Sequence, residues 1–283
     1  MQKQKEQDNL FQICYREGEG KIMKKIMAVV LMGALLLTGC GSSGEDAKKG
    51  HEGETLTVLT NSGYPPYEIR NTNGELEGFD IELTEAIAKK LGYKDVKWED
   101  IDFDALIGAV NTGKGDMVAA GLSPNEERKK GAELSDSYYN ASENTTNYVL
   151  TLKDGDIKET KDIKGKKVGV QLTTIQESTV NEIKDEYELK VDSRQNYAQM
   201  VQEIKNKRID FIVVEKAVAD EYVEKNDDLA TFRLDVGTDS EGNVFAFKKG
   251  NTALCEEVNG VIKEMKENGE LDKLISKYFD KEK

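Results

Sequence analysis

Two stretches of this chain repeat one pattern in one register, and no other feature narrows the possible folds as far. Residues 103–116, FDALIGAVNTGKGD, and residues 197–210, YAQMVQEIKNKRID, share an opening aromatic, three apolar positions at helical spacing and a closing aspartate. Each leads into a short apolar run, 116–121 (DMVAAG) and Phe211–Val214. A helix with one apolar face followed by a strand buried on both faces is a unit of a parallel α/β layer. Two copies in register predict two similar α/β lobes. The length of 283 residues agrees, because it exceeds what one hydrophobic core usually organises.

Around the repeats the sequence marks further elements. Leu56–Thr60 (LTVLT) and Lys167–Gln171 (KVGVQ) read as the opening strands of the two lobes. After the turn at Tyr64, Pro65, Pro66 and Tyr67, Asp80 is expected to N-cap a helix with Ile81, Thr84, Ile87, Ala88 and Leu91 on its buried face and Gly92 as its stop. The strand at 116–121 runs into Ser123, Pro124 and Glu126, the spacing of a capping box with proline at the first helical position. Free N–H groups of that turn, its positive dipole end and Arg128 would make a carboxylate site. An ordinary capped helix with a surface arginine explains the spacing equally well. In the second lobe Thr173 with Gln176, or Thr174 with Glu177, forms the corresponding box, so a second helix N-terminus sits at a strand's C-terminal end. Ligands of open α/β sheets bind at such ends. Glu215 follows the strand at 211–214, placed either to meet an ammonium or to serve as a helix N-terminal acid.

Composition removes whole classes of function. Lys and Arg number 40 against 54 Asp and Glu, a net charge of −14, which argues against nucleic acid as a partner. One histidine, His51, and three cysteines, Cys14, Cys40 and Cys255, do not furnish a His/Cys zinc site or a Ser-His-Asp relay. Binding, or chemistry on carboxylates, remains.

The N-terminus reads as a targeting segment. Residues 24–40, KKIMAVVLMGALLLTGC, place two lysines before an unbroken apolar run and small residues before a cysteine. The run is shorter than the roughly 20 residues a spanning helix needs. Residues 1–22 carry Glu6, Asp8, Glu17 and Glu19 and do not fit a signal peptide, so translation is expected to start at Met23. Residues 41–54, GSSGEDAKKGHEGE, read as a flexible tether in which His51 is solvated.

Several motifs in order resemble the amino-acid-binding (family 3) extracytoplasmic solute-binding proteins of ABC importers. They are YPPYE at 64–68, GELEGFDI at 74–81, GKGD at 113–116, AGLS at 120–123 with Arg128 beyond it, SDSYY at 135–139, GKKVGV at 165–170, and NGEL and ISKYF at 268–271 and 275–279. The resemblance implies an α/β, two-lobed periplasmic-binding-protein-like fold of type II, with two hinge strands near 144–149 and 239–244 and the ligand in the cleft. Its parts would be a signal peptide at 1–39, a lipidated Cys40 and tether at 40–54, one lobe from 55–145 with 243–283, and the other from 146–242. Leu37, Thr38, Gly39 and Cys40 resemble a lipobox, which implies a lipid anchor on Cys40. Cys255 would then be the one thiol of the mature chain, with no intramolecular disulfide.

Carried over residue by residue, the resemblance gives Arg128 the ligand α-carboxylate, helped by Ser123, and gives the α-ammonium to the Gly121 carbonyl and Glu215. Tyr64 and Phe103 become aromatic walls, with core packing the competing role for Phe103. Thr174, Ile175 and Gln176 lie on the segment that closes over the carboxylate. Asn61 stands where binders of cationic ligands often carry an acid, so a neutral or polar amino acid is expected. The implied protein is a monomer without cofactor or metal that delivers an amino acid to permease subunits. An exported dehydratase on the same scaffold, acting on arogenate or a related cyclohexadienyl substrate, is the rival reading, with Glu215 as its acid.

Overall fold

The computed structural model describes residues 50–140 and 143–280, so the expected signal segment, Met23, Cys14, Cys40 and most of the tether lie outside the described residues. In chain order the described part begins with β1 (Thr55–Thr60), a small hairpin of β2 (Ile69–Arg70) and β3 (Leu76–Glu77), α1 (Phe79–Leu91) and β4 (Asp95–Asp100). A 3-10 turn at Phe103–Ala105 continues into α2 (Leu106–Asn111), then come β5 (Met117–Val118), α3 (Glu126–Gly131) and β6 (Glu133–Leu134). The second series is β7 (Asn147–Leu152), β8 (Lys167–Gln171), α4 (Ile175–Ile183), β9 (Lys190–Arg194), α5 (Tyr197–Lys205), β10 (Phe211–Glu215), α6 (Lys216–Glu224) and β11 (Leu229–Arg233). β12 (Ala246–Phe247), α7 (Thr252–Glu267) and α8 (Glu270–Phe279) follow.

Two five-stranded sheets define two lobes, with strand orders β4-β1-β5-β12-β6 and β11-β7-β10-β8-β9. β12 pairs antiparallel with both β5 and β6, so the chain returns to the first sheet after completing the second. Central strands are apolar on both faces, as strands covered by helices must be: Leu56, Val58 and Leu59 of β1 and all of β10 are buried.

The repeated aspartates explain why the register is shared. Asp116 accepts from the Thr57 N–H at 2.8 Å while its own N–H donates to the Thr57 carbonyl at 2.8 Å. Asp210 does the same with Lys167, at 2.7 and 2.8 Å. In each lobe the residue that ends the helix–turn unit thus locks it onto an earlier strand, β1 in the first and β8 in the second, where β7 rather than the expected Lys167–Gln171 opens the lobe.

The structure corrects the sequence reading at three places, two helix starts and one strand. α1 begins at Phe79 with Gly78 as its N-cap, and Asp80 lies fully buried in its first turn, where Asp80 accepts from the Gly121 N–H and the Tyr138 hydroxyl, each at 2.8 Å. Gly78 sits at φ 137° with its would-be Cβ 2.2 Å from the Tyr67 carbonyl oxygen, so a side chain there would force the turn at 64–68 off the helix. The Phe79 and Asp80 N–H groups donate to the Pro66 and Tyr67 carbonyls, which fixes that turn beside the cleft. α3 is capped by Asn125, whose side chain accepts from the Arg128 N–H, rather than by Ser123, because Pro124 and Asn125 remain extended before the helix. The predicted strand 116–121 is regular only at Met117 and Val118; the Ala119 N–H still donates to the Leu59 carbonyl at 3.0 Å, and the chain leaves the sheet after it.

α7 and α8 pack on the first lobe. Lys90 pairs with Glu264 and Glu270, and the Phe279 ring stacks on Tyr139 at 4.1 Å and meets Phe79 edge-on at 5.0 Å.

His51 is docked rather than solvated. Its ring stacks on Tyr93 at 4.2 Å and 7°, and its two nitrogens lie 3.1 Å from Glu54 and 2.7 Å from Glu257 of α7. A neutral imidazole has one N–H to offer two carboxylates, so the protonated ring fits better. Burial alone would lower the imidazole pKa, but the hydrogen bonds and charges of Glu257 and Glu54 outweigh it and raise the value above 6.5. The stabilisation is therefore complete below pH 6.5 and is lost as pH rises through the folded-state value. Because the chain has one histidine, a proton NMR titration reads this ring alone. The imidazole should titrate above 6.5 and fall toward it in Glu257→Gln; a wild-type value at or below 6.5 would contradict the docking.

Candidate ligand-binding site

One pocket lies where the ends of β1, β5 and β8 approach each other between the lobes. The first lobe lines it with Asn61, Tyr64, Glu68, Phe103, Ala120, Gly121, Ser123 and Arg128, and the second with Gln171, Thr174, Ile175, Gln176 and Tyr197. Nine of the ten residues singled out from the sequence are thus brought together by the fold. Glu215, the tenth, lies behind this lining at the end of β10, fully buried, where it accepts from the Tyr67 hydroxyl at 2.9 Å and faces the Ser123 hydroxyl at 3.5 Å.

Arg128 projects from α3, a helix of only six residues. The Asn125 side chain already takes the Arg128 N–H, so the guanidinium, not a free helix end, is what this element offers a ligand. It is 6% exposed, lies over the Phe103 ring at 5.2 Å, and donates to the Ser123 carbonyl at 2.6 Å and the Thr173 carbonyl at 2.8 Å. Those two carbonyls belong to different lobes and use two of five N–H donors. Burial pulls its pKa down to about 10, against the opposing charge of Glu127. Thr173 holds φ at +63°, a region that β-branched residues rarely occupy, and this conformation presents its carbonyl to Arg128.

Of the two spacings proposed for the second lobe's helix start, the structure uses Thr174 with Glu177. The Thr174 hydroxyl accepts from the Glu177 N–H at 3.1 Å, and the Glu177 carboxylate accepts from the Thr173 N–H at 2.8 Å. α4 therefore starts at the pocket, and Gln176 is oriented by Asn147 at 3.3 Å. Gly121 adopts φ +53° with both its backbone groups held, the N–H by Asp80 and the carbonyl by the Asn243 amide at 2.9 Å. A Cβ at this position would lie 3.0 Å from the Tyr64 ring.

Four lining residues were missed by the sequence reading: Glu68, Ala120, Gln171 and Tyr197. For Tyr197 a signal existed, because it occupies in the second repeat the place of Phe103 in the first. Its ring meets Tyr64 across the cleft with centroids 5.0 Å apart. Gln171 closes β8 as Asn61 follows β1, and the two side chains bond to each other at 2.8 Å.

Glu68 changes the chemistry of the pocket. It is 1% exposed, and its Oε2 has no hydrogen-bond partner among the described residues. Burial, reinforced by the negative charges of Asp80, Asp100 and Glu215, pushes its pKa well above the usual carboxylate value. Burial also raises Glu215 to about 8, although the hydroxyls of Tyr67, Ser123 and Ser240 oppose the shift. Among the described residues no ion pair joins Arg128, Glu68 or Glu215 to another protein group, and no cluster of His, Cys, Asp and Glu has the arrangement of a metal site.

Comparison with known proteins agrees with this geometry. Residues 56–281 match the bacterial extracellular solute-binding proteins, family 3. The arginine-binding extracellular protein ArtP of Bacillus subtilis (strain 168) is 39% identical over 264 residues, covering 92% of this chain and 100% of that protein. A probable histidine-binding protein of Campylobacter jejuni is 36% identical over 264 residues, covering 90% and 99%. An ancestral arginine-binding protein solved bound to arginine superposes with a TM-score of 0.73 at 40% identity, covering 81% of this chain and 100% of that one. The chain belongs to the family 3 extracellular solute-binding proteins.

The raised Glu215 pKa has a measurable consequence. A carboxyl that holds its proton more tightly when folded contributes stability that is present below about 4.5 and lost as pH rises through about 8. The ligand-free melting temperature should therefore fall between pH 5 and pH 8. Glu215→Gln, which keeps an acceptor for Tyr67 and removes the titration, should make that slope shallower; an unchanged slope would show that Glu215 titrates normally.

Proposed function

We propose that this chain is the ligand-binding subunit of an ABC importer and takes a free amino acid whose side chain is positively charged. The observation that carries the reading is the set of buried ionisable groups at the cleft. One guanidinium, Arg128, and one carboxyl, Glu68, line it, and a second carboxyl, Glu215, lies directly behind the lining, all without ion-pair partners among the described residues. Buried charges are costly unless paired, so the complementary ligand offers one carboxylate and two cations. A basic amino acid is such a molecule: carboxylate to Arg128, α-ammonium toward Glu215, side-chain cation to Glu68.

This reading revises the neutral or polar ligand expected from Asn61. The Asn61 amide is occupied by the Ile101 carbonyl and by Gln171, each at 2.8 Å, while the acid missing at that position is supplied by Glu68 in the same loop. The names of the relatives, arginine- and histidine-binding proteins, support a cationic ligand. Because Arg128 and Glu215 belong to different lobes, a zwitterion that engages both favours the closed arrangement.

The proposal extends to the domain limits, with lobes at 55–145 plus 243–283 and at 146–242 and hinges near 144–149 and 239–244. It includes export by the 1–39 signal segment, a lipid anchor on Cys40, a monomeric state and no catalytic step. The relatives named above are binding proteins, which supports the last point.

A thermal-shift panel of the twenty amino acids and cystine, followed by calorimetry, tests the reading. Arginine, lysine or histidine should give the largest shifts, since a ligand at 100 times its dissociation constant stabilises by about 2.7 kcal/mol. Glu68→Gln should weaken binding of the basic ligand by tenfold or more while sparing neutral amino acids. Shifts confined to neutral amino acids would overturn the cationic assignment, and turnover of prephenate or arogenate would overturn the assignment as a binding protein.

A further inference from the structure

The lobes also meet along a line that starts at the Asn61–Gln171 pair in the pocket wall and runs outward from it. Three consecutive residues of the first lobe, Asn61, Ser62 and Gly63, each accept a hydrogen bond from a different element of the second. Gln171, the last residue of β8, donates to the Asn61 side chain at 2.8 Å. Asn196, the N-cap of α5, donates to the Ser62 carbonyl at 3.1 Å, and the Tyr222 hydroxyl of α6 donates to the Gly63 carbonyl at 2.7 Å. Both faces are held in place by their own lobes. The Ser62 N–H and hydroxyl are fixed by Asp100 at 2.9 and 2.6 Å, and the Gly63 N–H donates to the Glu68 carbonyl at 3.0 Å. On the other side Gln171 also donates to the Gln195 carbonyl at 2.7 Å, and the Asn196 side chain accepts from the Gln199 N–H at 3.2 Å.

We infer that residues 61–63 form a clasp that closes the lobes without contribution from the ligand, so that Asn196 and Tyr222 set affinity from outside the pocket. Neither residue lines the pocket. Apparent affinity scales with the fraction of molecules in the binding-competent arrangement, so a clasp that favours closure tightens every ligand by one common factor. Pocket residues act differently, because their contacts depend on the ligand's side chain. Asn196 and Tyr222 are in this sense positioning residues, and the inference rests on the reading that closure accompanies binding.

Tyr222→Phe removes one donor with little change of shape, and Asn196→Ser removes another while keeping a capping oxygen on α5. Calorimetry of each variant with L-arginine and with L-lysine should show affinity lowered about three- to tenfold, the usual worth of one such hydrogen bond, with the ratio between the two ligands unchanged. Small-angle scattering of the ligand-free double variant should give a larger radius of gyration than wild type at an unaltered melting temperature. This second arm uses no ligand, so it decides the clasp even if wild type binds neither amino acid and the proposed ligand class fails. Wild-type affinity, a changed arginine-to-lysine ratio, or an unchanged ligand-free radius would each overturn the inference.

Discussion

The structure turns on charges that the cleft withholds from water. Arg128, Glu68, Glu215 and Asp80 are all at least nine-tenths buried, and none forms an ion pair within the described protein. An isolated buried charge is costly enough that a protein either neutralises it or pairs it. Burial moves the carboxyls toward the first course, raising Asp80 to about 7 and Glu215 to about 8. Arg128 keeps its charge, and a guanidinium held by two carbonyls still has donors for a carboxylate in the fork geometry. A pocket so arranged is complementary to a ligand that brings the missing counter-charges.

The surrounding architecture serves that arrangement. Asn125 caps α3 and so aims Arg128 at the cleft, while Thr173 accepts a strained backbone to hold the guanidinium from the other lobe. Asp80, buried in the first turn of α1, holds the Gly121 N–H, and Asn243 holds the Gly121 carbonyl, which ties the return crossover to the pocket floor. Tyr67 bridges the same region, with its hydroxyl 2.9 Å from Glu215 and 3.2 Å from Asn243. The return crossover, the pocket and the first turn of α1 therefore share one hydrogen-bonded core.

Much of this was legible in the sequence, for physical reasons that differ by element. The repeat at 103–116 and 197–210 exposed the two lobes because each helix must present apolar residues at a fixed period and each aspartate must meet the start of an earlier strand, β1 or β8. Ser123, Arg128 and the segment 174–176 stood out because they follow strand ends, whereas Asn61, Tyr64, Phe103 and Gly121 were nominated through the family resemblance. The caps were misplaced by two residues, since Asn125 competes with Ser123 and Pro124 is as compatible with an extended segment as with a first helical turn. Glu68 escaped notice because its burial depends on Gly78 docking the turn at 64–68 onto α1, a tertiary contact that no local pattern reports. His51 was read as solvated from its neighbours in sequence, while its stacking partner Tyr93 and its acid Glu257 come from distant segments.

Calorimetric titration of Arg128→Ala and Arg128→Lys with L-arginine, alongside their ligand-free melting curves, tests the central claim most directly. Removing one partner of a desolvated, hydrogen-bonded charge pair typically costs about 2–5 kcal/mol, so Arg128→Ala should weaken binding by at least about thirtyfold. Arg128→Lys keeps the charge without the fork and should fall between that variant and wild type. The expected result is this graded loss with both variants still folded; affinity of Arg128→Ala within about twofold of wild type, roughly 0.4 kcal/mol, would contradict it.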